Sequence, residues 1–334
     1  MFLVVLVHTD FFSLEAPTLA ELHTRPADAV IRILVESISI VCVNVFIMIS
    51  GWFGIRPKVR SLTGFLFQCL FFLTGIYAVM LAAGAAELSL KGIAGCLFLT
   101  KWNWFPKAYL VLYMLSPVLN AFIEQAPRKQ LRLAILFYFL FQTVYDWCSG
   151  ATNYLAAGCS PLSFIGLYLL TRYVSVYRPR WASGSARTNF CVYLALTLVL
   201  TALPLLCAGA GEFLFNGVLG RMFIYSNPLV IASALFLLLT FSKLRLQSKA
   251  INWLAASSFA VFLMHSNPNV AEPYFVPLCR QLHASWGTAY FALILPVIAG
   301  FLLVSVLVDQ VRIRVWLRIE QPVERLIKRC MEKL

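Results

Sequence analysis

Apolar runs of about 20 residues, each long enough to cross a hydrocarbon core, recur from one end of this chain to the other. Hydrophobic residues make up 61% of the sequence and charged ones only 12%, for a mean hydropathy of +0.82. A soluble core cannot absorb that much apolar surface. The pattern predicts an all-α, polytopic membrane helical bundle, because a helix pairs its own backbone groups where no water can. Runs bounded by charges, Pro or Gly place about ten transmembrane helices, near 1–13, 31–54, 62–86, 105–123, 132–147, 162–177, 188–210, 225–242, 251–266 and 287–308.

The formal net charge of +13 would suggest nucleic acid as a partner in a soluble protein. Here the test is how the cations divide between alternate loops. Of the 27 Lys and Arg residues, 20 fall on one side, in clusters such as Arg56, Lys58 and Arg60, or Lys243, Arg245 and Lys249, and in the last 24 residues. The other 7 include Arg25, Arg32, Lys91, Lys101 and Arg280. Cationic loops resist translocation, so the rich side is expected in the cytoplasm together with both termini. The positive charge then reflects topology and anionic lipid, with no nucleic-acid partner. Residues 1–310 read as a transmembrane domain. Residues 311–334, where Val311, Val315, Ile319, Val323 and Ile327 recur among basic residues, read as a basic amphipathic cytoplasmic tail lying on the membrane surface.

Nine cysteines occur without a CxxC pair or other ligand spacing, so no metal site is expected. Cys148 and Cys159 share an outer loop, where an oxidising compartment would allow a bridge if their separation permits it. The four histidines, His8, His23, His265 and His283, all fall in the outer half or in outer loops. His8 and His265 lie within spans, where a titratable imidazole is costly and points to function. For His265, a hydrogen bond between helices is the competing reading.

Six segments together resemble the acyltransferase 3 family of integral membrane O-acyltransferases, in particular the branch associated with bacterial surface polysaccharides. They are VVLVHTD at 4–10, VNVFIMISGWF at 43–53, WNWFPKAYLVLYMLSPVLN at 102–120, FIGLYLLTRYV at 164–174, NPLVIASALFLLLTFSK at 227–243 and INWLAASSFAVFLMHSNP at 251–268. Their order and spacing carry the likeness. The resemblance implies a catalytic histidine at His8 and transfer of an acetyl group from acetyl-CoA to a sugar hydroxyl of a cell-surface or exopolysaccharide, at a bacterial inner membrane. No permanently bound cofactor is implied. A neutral imidazole suits the task, since a sugar hydroxyl is a poor nucleophile until its proton is taken. In the family an arginine about three helical turns earlier accompanies the histidine, yet this chain begins at Met1, seven residues before His8. Thirteen residues also cover only about 20 Å of a roughly 30 Å core. The expectation is a start upstream of Met1 that supplies the arginine, or else a substitute cation such as Arg32.

Other candidates carry two readings each. Ser50 and Gly51 form either a close-packing turn or a substrate contact. Arg32, Glu36 and Asn44 share one face of the second helix, lining a cavity or, for Arg32, snorkelling to the interface. Trp102, Trp104, Phe105, Tyr109 and Tyr113 form an interfacial belt or a floor for sugar stacking. The two inner cation clusters, Arg56, Lys58 and Arg60 and Lys243, Arg245 and Lys249, answer the topology rule or hold coenzyme phosphates. Two further functions stay open: a transporter or flippase of a lipid-linked glycan, and a noncatalytic relative of the family.

Overall fold

The computed structural model describes residues 1–100, 103–150 and 152–331, so Lys101, Trp102 and Lys333 lie outside the described residues. The described chain is helical, without strands, and five of its helices are long and apolar enough to cross a membrane. These five are Pro26–Phe53, Val59–Ala82, Trp104–Gln125, Ala186–Ala210 and Pro268–Arg325. Phe2–Leu14 and Pro228–Ser242 are shorter apolar helices. These five, with the two shorter apolar helices, do not confirm the count of ten spans expected from the sequence.

The elements run in order: α1 (Phe2–Thr9), α2 (Phe11–Leu14), α3 (Leu19–Thr24), α4 (Pro26–Ser39), α5 (Cys42–Phe53), α6 (Val59–Ala82) and α7 (Leu90–Cys96). There follow α8 (Trp104–Gln125), α9 (Arg128–Gln142), α10 (Pro161–Tyr177), α11 (Ala186–Cys207), α12 (Glu212–Met222) and α13 (Pro228–Ser242). The chain ends in α14 (Lys249–Ala256), α15 (Ser258–His265), α16 (Pro268–Val270), α17 (Val276–Trp286) and α18 (Tyr290–Met331).

Helices α5, α10, α11 and α13 pack as one group, and α6, α15 and α18 as another, with α1 against α4, α5, α15 and α18. The α5–α10 contact depends on a missing side chain. A Cβ on Gly51 would stand 2.7 Å from the Tyr168 carbonyl oxygen and 3.1 Å from Thr171 Cβ, closer than packed atoms tolerate. Gly51 thus belongs to the close-packing reading. Gly51→Val is expected to cost about 1–3 kcal/mol by forcing two backbones apart, seen as a lower melting temperature of the detergent-solubilised protein.

Away from these contacts, α9 and α18 present Leu136, Phe137, Leu140, Leu303, Val304 and Leu307 outward. Lipid is the expected neighbour of such faces, because acyl chains are as apolar as leucine. Residues 311–331 continue α18 without a break. Trp316 of this extension stacks on Phe67, ring centroids 5.1 Å apart, and Glu320 pairs with Arg60 at 2.6 Å. The segments between the longer helices contain the short helices α3, α7, α12 and α17, which the apolar runs do not reveal. Cys148 and Cys159 are free thiols.

Candidate functional site

The first helix breaks immediately after the histidine it carries. Helix α1 ends at Thr9, Asp10 adopts φ −108°, ψ −110°, and α2 restarts at Phe11. Two hydrogen bonds secure the break: Ser13 Oγ donates to the His8 carbonyl at 2.5 Å, and Tyr290 Oη donates to that of Thr9 at 2.9 Å. A third constraint is ionic. Asp10 is fully buried and lies 3.6 Å from the Arg32 guanidinium.

Arg32 is 2% exposed, so it does not snorkel. Its guanidinium also lies 3.6 Å from Glu21 and donates to the carbonyls of Leu14, at 3.1 Å, and Glu15. It therefore holds the α1–α2 break and the loop after it. Arg32 is not the substitute partner of His8 that a missing upstream cation suggests, since its nitrogens are turned to these groups. The shared face of Arg32, Glu36 and Asn44 is also interrupted, because α4 ends at Ser39 and α5 starts at Cys42. Glu36 is buried, with no ion pair to Arg32 among the described residues. Asn44 Nδ2 donates to the Tyr225 carbonyl at 2.9 Å.

The partner of His8 is His265. His8 Nδ1 and His265 Nε2 are 2.7 Å apart, and His265 Nδ1 lies 2.6 Å from the Val261 carbonyl. A carbonyl only accepts, so His265 Nδ1 carries the proton and its Nε2 accepts from His8 Nδ1–H. This tautomer order leaves His8 Nε2 with an open lone pair. His265 is 1% exposed, walled by Phe262, Phe275 and Phe301, while His8 is partly exposed. The outer imidazole can thus exchange a proton with a ligand, and the inner one fixes its orientation.

Two cavities lie along α6, and neither His8 nor His265 is among their lining residues. One, of about 280 Å³, is bounded by Phe46, Phe65, Phe105, Tyr109 and Phe259 together with Ser61 and Gln68. Tyr109 Oη reaches Ser50 Oγ at 3.3 Å, which places Ser50 behind its wall. Aromatic contacts lead from Phe105 to Phe262 and on to His265, with ring centroids 5.2 and 6.0 Å apart. The other cavity, of about 450 Å³, has a mixed polar and apolar lining and lies where α6 and α7 meet the turn after His265.

The aromatic candidates on α8 separate. Tyr109 lines the smaller cavity. Trp104 packs on Phe105 and Phe164, and Tyr113 Oη bridges the backbone N–H and carbonyl of Lys58 at 2.8 and 3.1 Å. Neither Trp104 nor Tyr113 is among the residues that line the smaller cavity with Tyr109. Of the cations, Arg60 is engaged by Glu320 and Glu324, whereas Lys243, Arg245 and Lys249 are exposed. Asp146 accepts from the Thr152 N–H at 2.9 Å and serves its own loop.

No curated protein and no solved structure matches the chain. A family model described as an acyltransferase domain matches residues 1–309, a stretch that holds the histidine pair and both cavities. With its helical membrane architecture, the chain belongs to the acyltransferase 3 family.

Proposed function

We propose that this membrane acyltransferase is an O-acetyltransferase, moving acetyl from acetyl-CoA to a sugar hydroxyl of a cell-surface polysaccharide, with His8 as general base. The observation that carries the reading is the hydrogen-bond order Val261–His265–His8, which leaves a basic nitrogen on the partly exposed ring. The hydroxyl gives its proton to His8 Nε2 as its oxygen attacks the thioester carbonyl. The new C–O bond forms, the C–S bond breaks, and the proton passes to the departing thiolate. His265 is a positioning residue, accepting from His8 Nδ1–H while the ring is cationic.

The donor fits the smaller cavity. Its aromatic walls suit a pantetheine arm, and Ser61 at its edge adjoins the cluster of Arg56, Lys58 and Arg60, cations of the kind that bind phosphates. The 20 of 27 cations on that side support a cytoplasmic location for the cluster and both termini, in a bacterial inner membrane. Phe259→Trp, which narrows this cavity, is expected to raise the KM for acetyl-CoA on the order of tenfold, equivalent to about 1.4 kcal/mol, with the acceptor KM little changed.

The function itself is tested with purified full-length protein in liposomes, radiolabelled acetyl-CoA and host surface polysaccharide stripped of esters by alkali. Alkali-labile label in the glycan supports the reading. Label that stays on the coenzyme, or appears only in lipid, overturns it.

A further inference from the structure

Residues 309–312 of α18 tie α6 and the start of α15 together beside the smaller cavity, and their hydrogen bonds carry chemical information. Asp309 is fully buried and paired with Arg312, itself 8% exposed. Arg312 Nε donates to Asp309 Oδ1 at 2.9 Å and Nη2 to Oδ2 at 2.7 Å. Two parallel bonds from a planar guanidinium fix the carboxylate in one orientation. Gln68 Nε2, on α6, donates to the same Oδ1 at 3.4 Å. The neighbouring Gln310 donates from Nε2 to Ser257 Oγ at 3.3 Å, two residues before the cavity residue Phe259.

A carboxylate without its proton accepts and does not donate, so the Gln68 amide can face Asp309 in only one way, with its NH2 toward α18. Its Oε1 then has no hydrogen-bond partner among the described residues, and Gln68 lines the smaller cavity. The other polar groups of that lining, the Ser61 and Tyr109 hydroxyls, can each donate as well as accept. Only Gln68 is restricted to accepting. An acceptor beside the rings of Phe65, Phe105 and Phe259 calls for a ligand that brings an N–H or O–H. Ser61 lies two turns earlier on the same face of α6, about 10 Å away, next in sequence to the cation Arg60. A pantetheine arm entering past Ser61, with its phosphates on the cations, meets Gln68 further in. The arm carries two amide N–H groups, and the one nearer the sulfur goes deeper.

We propose that Gln68 determines donor specificity by accepting the amide N–H next to the thioester, and that Asp309 is a positioning residue that holds the Gln68 amide in that orientation. The assignment rests on the acyl-transfer reading for the identity of the donor. Two small donors test it in the full-length protein: S-acetyl-N-acetylcysteamine, which keeps that amide, and its isostere in which an ester oxygen replaces the N–H. Wild type is expected to favour the amide on the order of tenfold in kcat/KM, since the ester leaves the Gln68 oxygen unpaired. Gln68→Leu should erase the preference by lowering the amide donor to the level of the ester. Asp309→Asn lets the Gln68 amide turn over and should weaken the same preference, with no further effect on it in the Gln68→Leu background. A merely structural Asp309 would lower both donors alike.

Calorimetry with coenzyme A, which needs no transfer, should show binding weakened on the order of tenfold by Gln68→Leu. Equal use of the two donors by wild type, a preference that survives Gln68→Leu, or unchanged coenzyme affinity in that variant overturns the proposal. If Gln68→Leu does not fold, the wild-type comparison of amide and ester decides alone. Weakened coenzyme binding by Gln68→Leu, in a protein that transfers no acetyl, leaves the role of Gln68 standing and removes the acyl-transfer reading instead.

Discussion

His8→Ala is expected to lower kcat for acetyl transfer by about 10²–10⁴-fold, the usual contribution of a positioned general base, with both KM values within a few-fold of wild type. The structural cost should be small. His8 is partly exposed and its carbonyl contact with Ser13 is retained by any residue, so the main structural loss is the hydrogen bond to His265. Equal amounts of both proteins in the membrane fraction check that point. His265→Gln separates positioning from chemistry. Glutamine offers its side-chain oxygen to His8 Nδ1–H, so it should recover much of what His265→Ala loses. If His265→Ala is as active as wild type, the relay from Val261 does not orient the base. If His8→Ala is fully active, His8 is not the base at all.

The second large effect is on stability. Arg32→Met should cost about 3–5 kcal/mol, because it strands Asp10, 0% exposed, as a buried carboxylate without its cation. Activity should fall with it, since Asp10 follows His8 by two residues and shapes the α1–α2 break. The double variant Arg32→Met with Asp10→Leu removes both charges and is expected to regain most of the stability. Recovery of transfer in that variant would mark Arg32 as a structural clamp. A stable but inactive double variant would return it to the reaction. Thermal unfolding in detergent and the labelled-acetyl assay give the two readouts.

Much of the helical framework is legible in the chain. The runs near 62–86, 105–123 and 188–210 correspond to α6, α8 and α11 within a few residues, because length and hydropathy act locally. The short helices α3, α7, α12 and α17 are not legible, as each is brief and of mixed polarity and takes its order from packing. Asp10 illustrates the same limit: the apolar run 1–13 reads as one helix, whereas the break is held by the tertiary contacts of Tyr290 and Arg32 as well as by Ser13. Residues 311–331 show it again, since amphipathic spacing is visible while the stacking of Trp316 on Phe67 is not.

The site divides along the same line. That His8 is worth attention follows from sequence, since an imidazole in an apolar run is costly wherever the run folds. Its partner does not follow, because His265 lies 257 residues away and nothing in local pattern links the two. Tautomer order, the burial of Arg32 and the gathering of aromatic side chains around the smaller cavity are likewise products of packing. Hydropathy is a property of each segment and settles that this chain forms membrane helices. Contacts between segments distant in the chain depend on how the helices are arranged in space, and that arrangement decided which of the candidate residues meet.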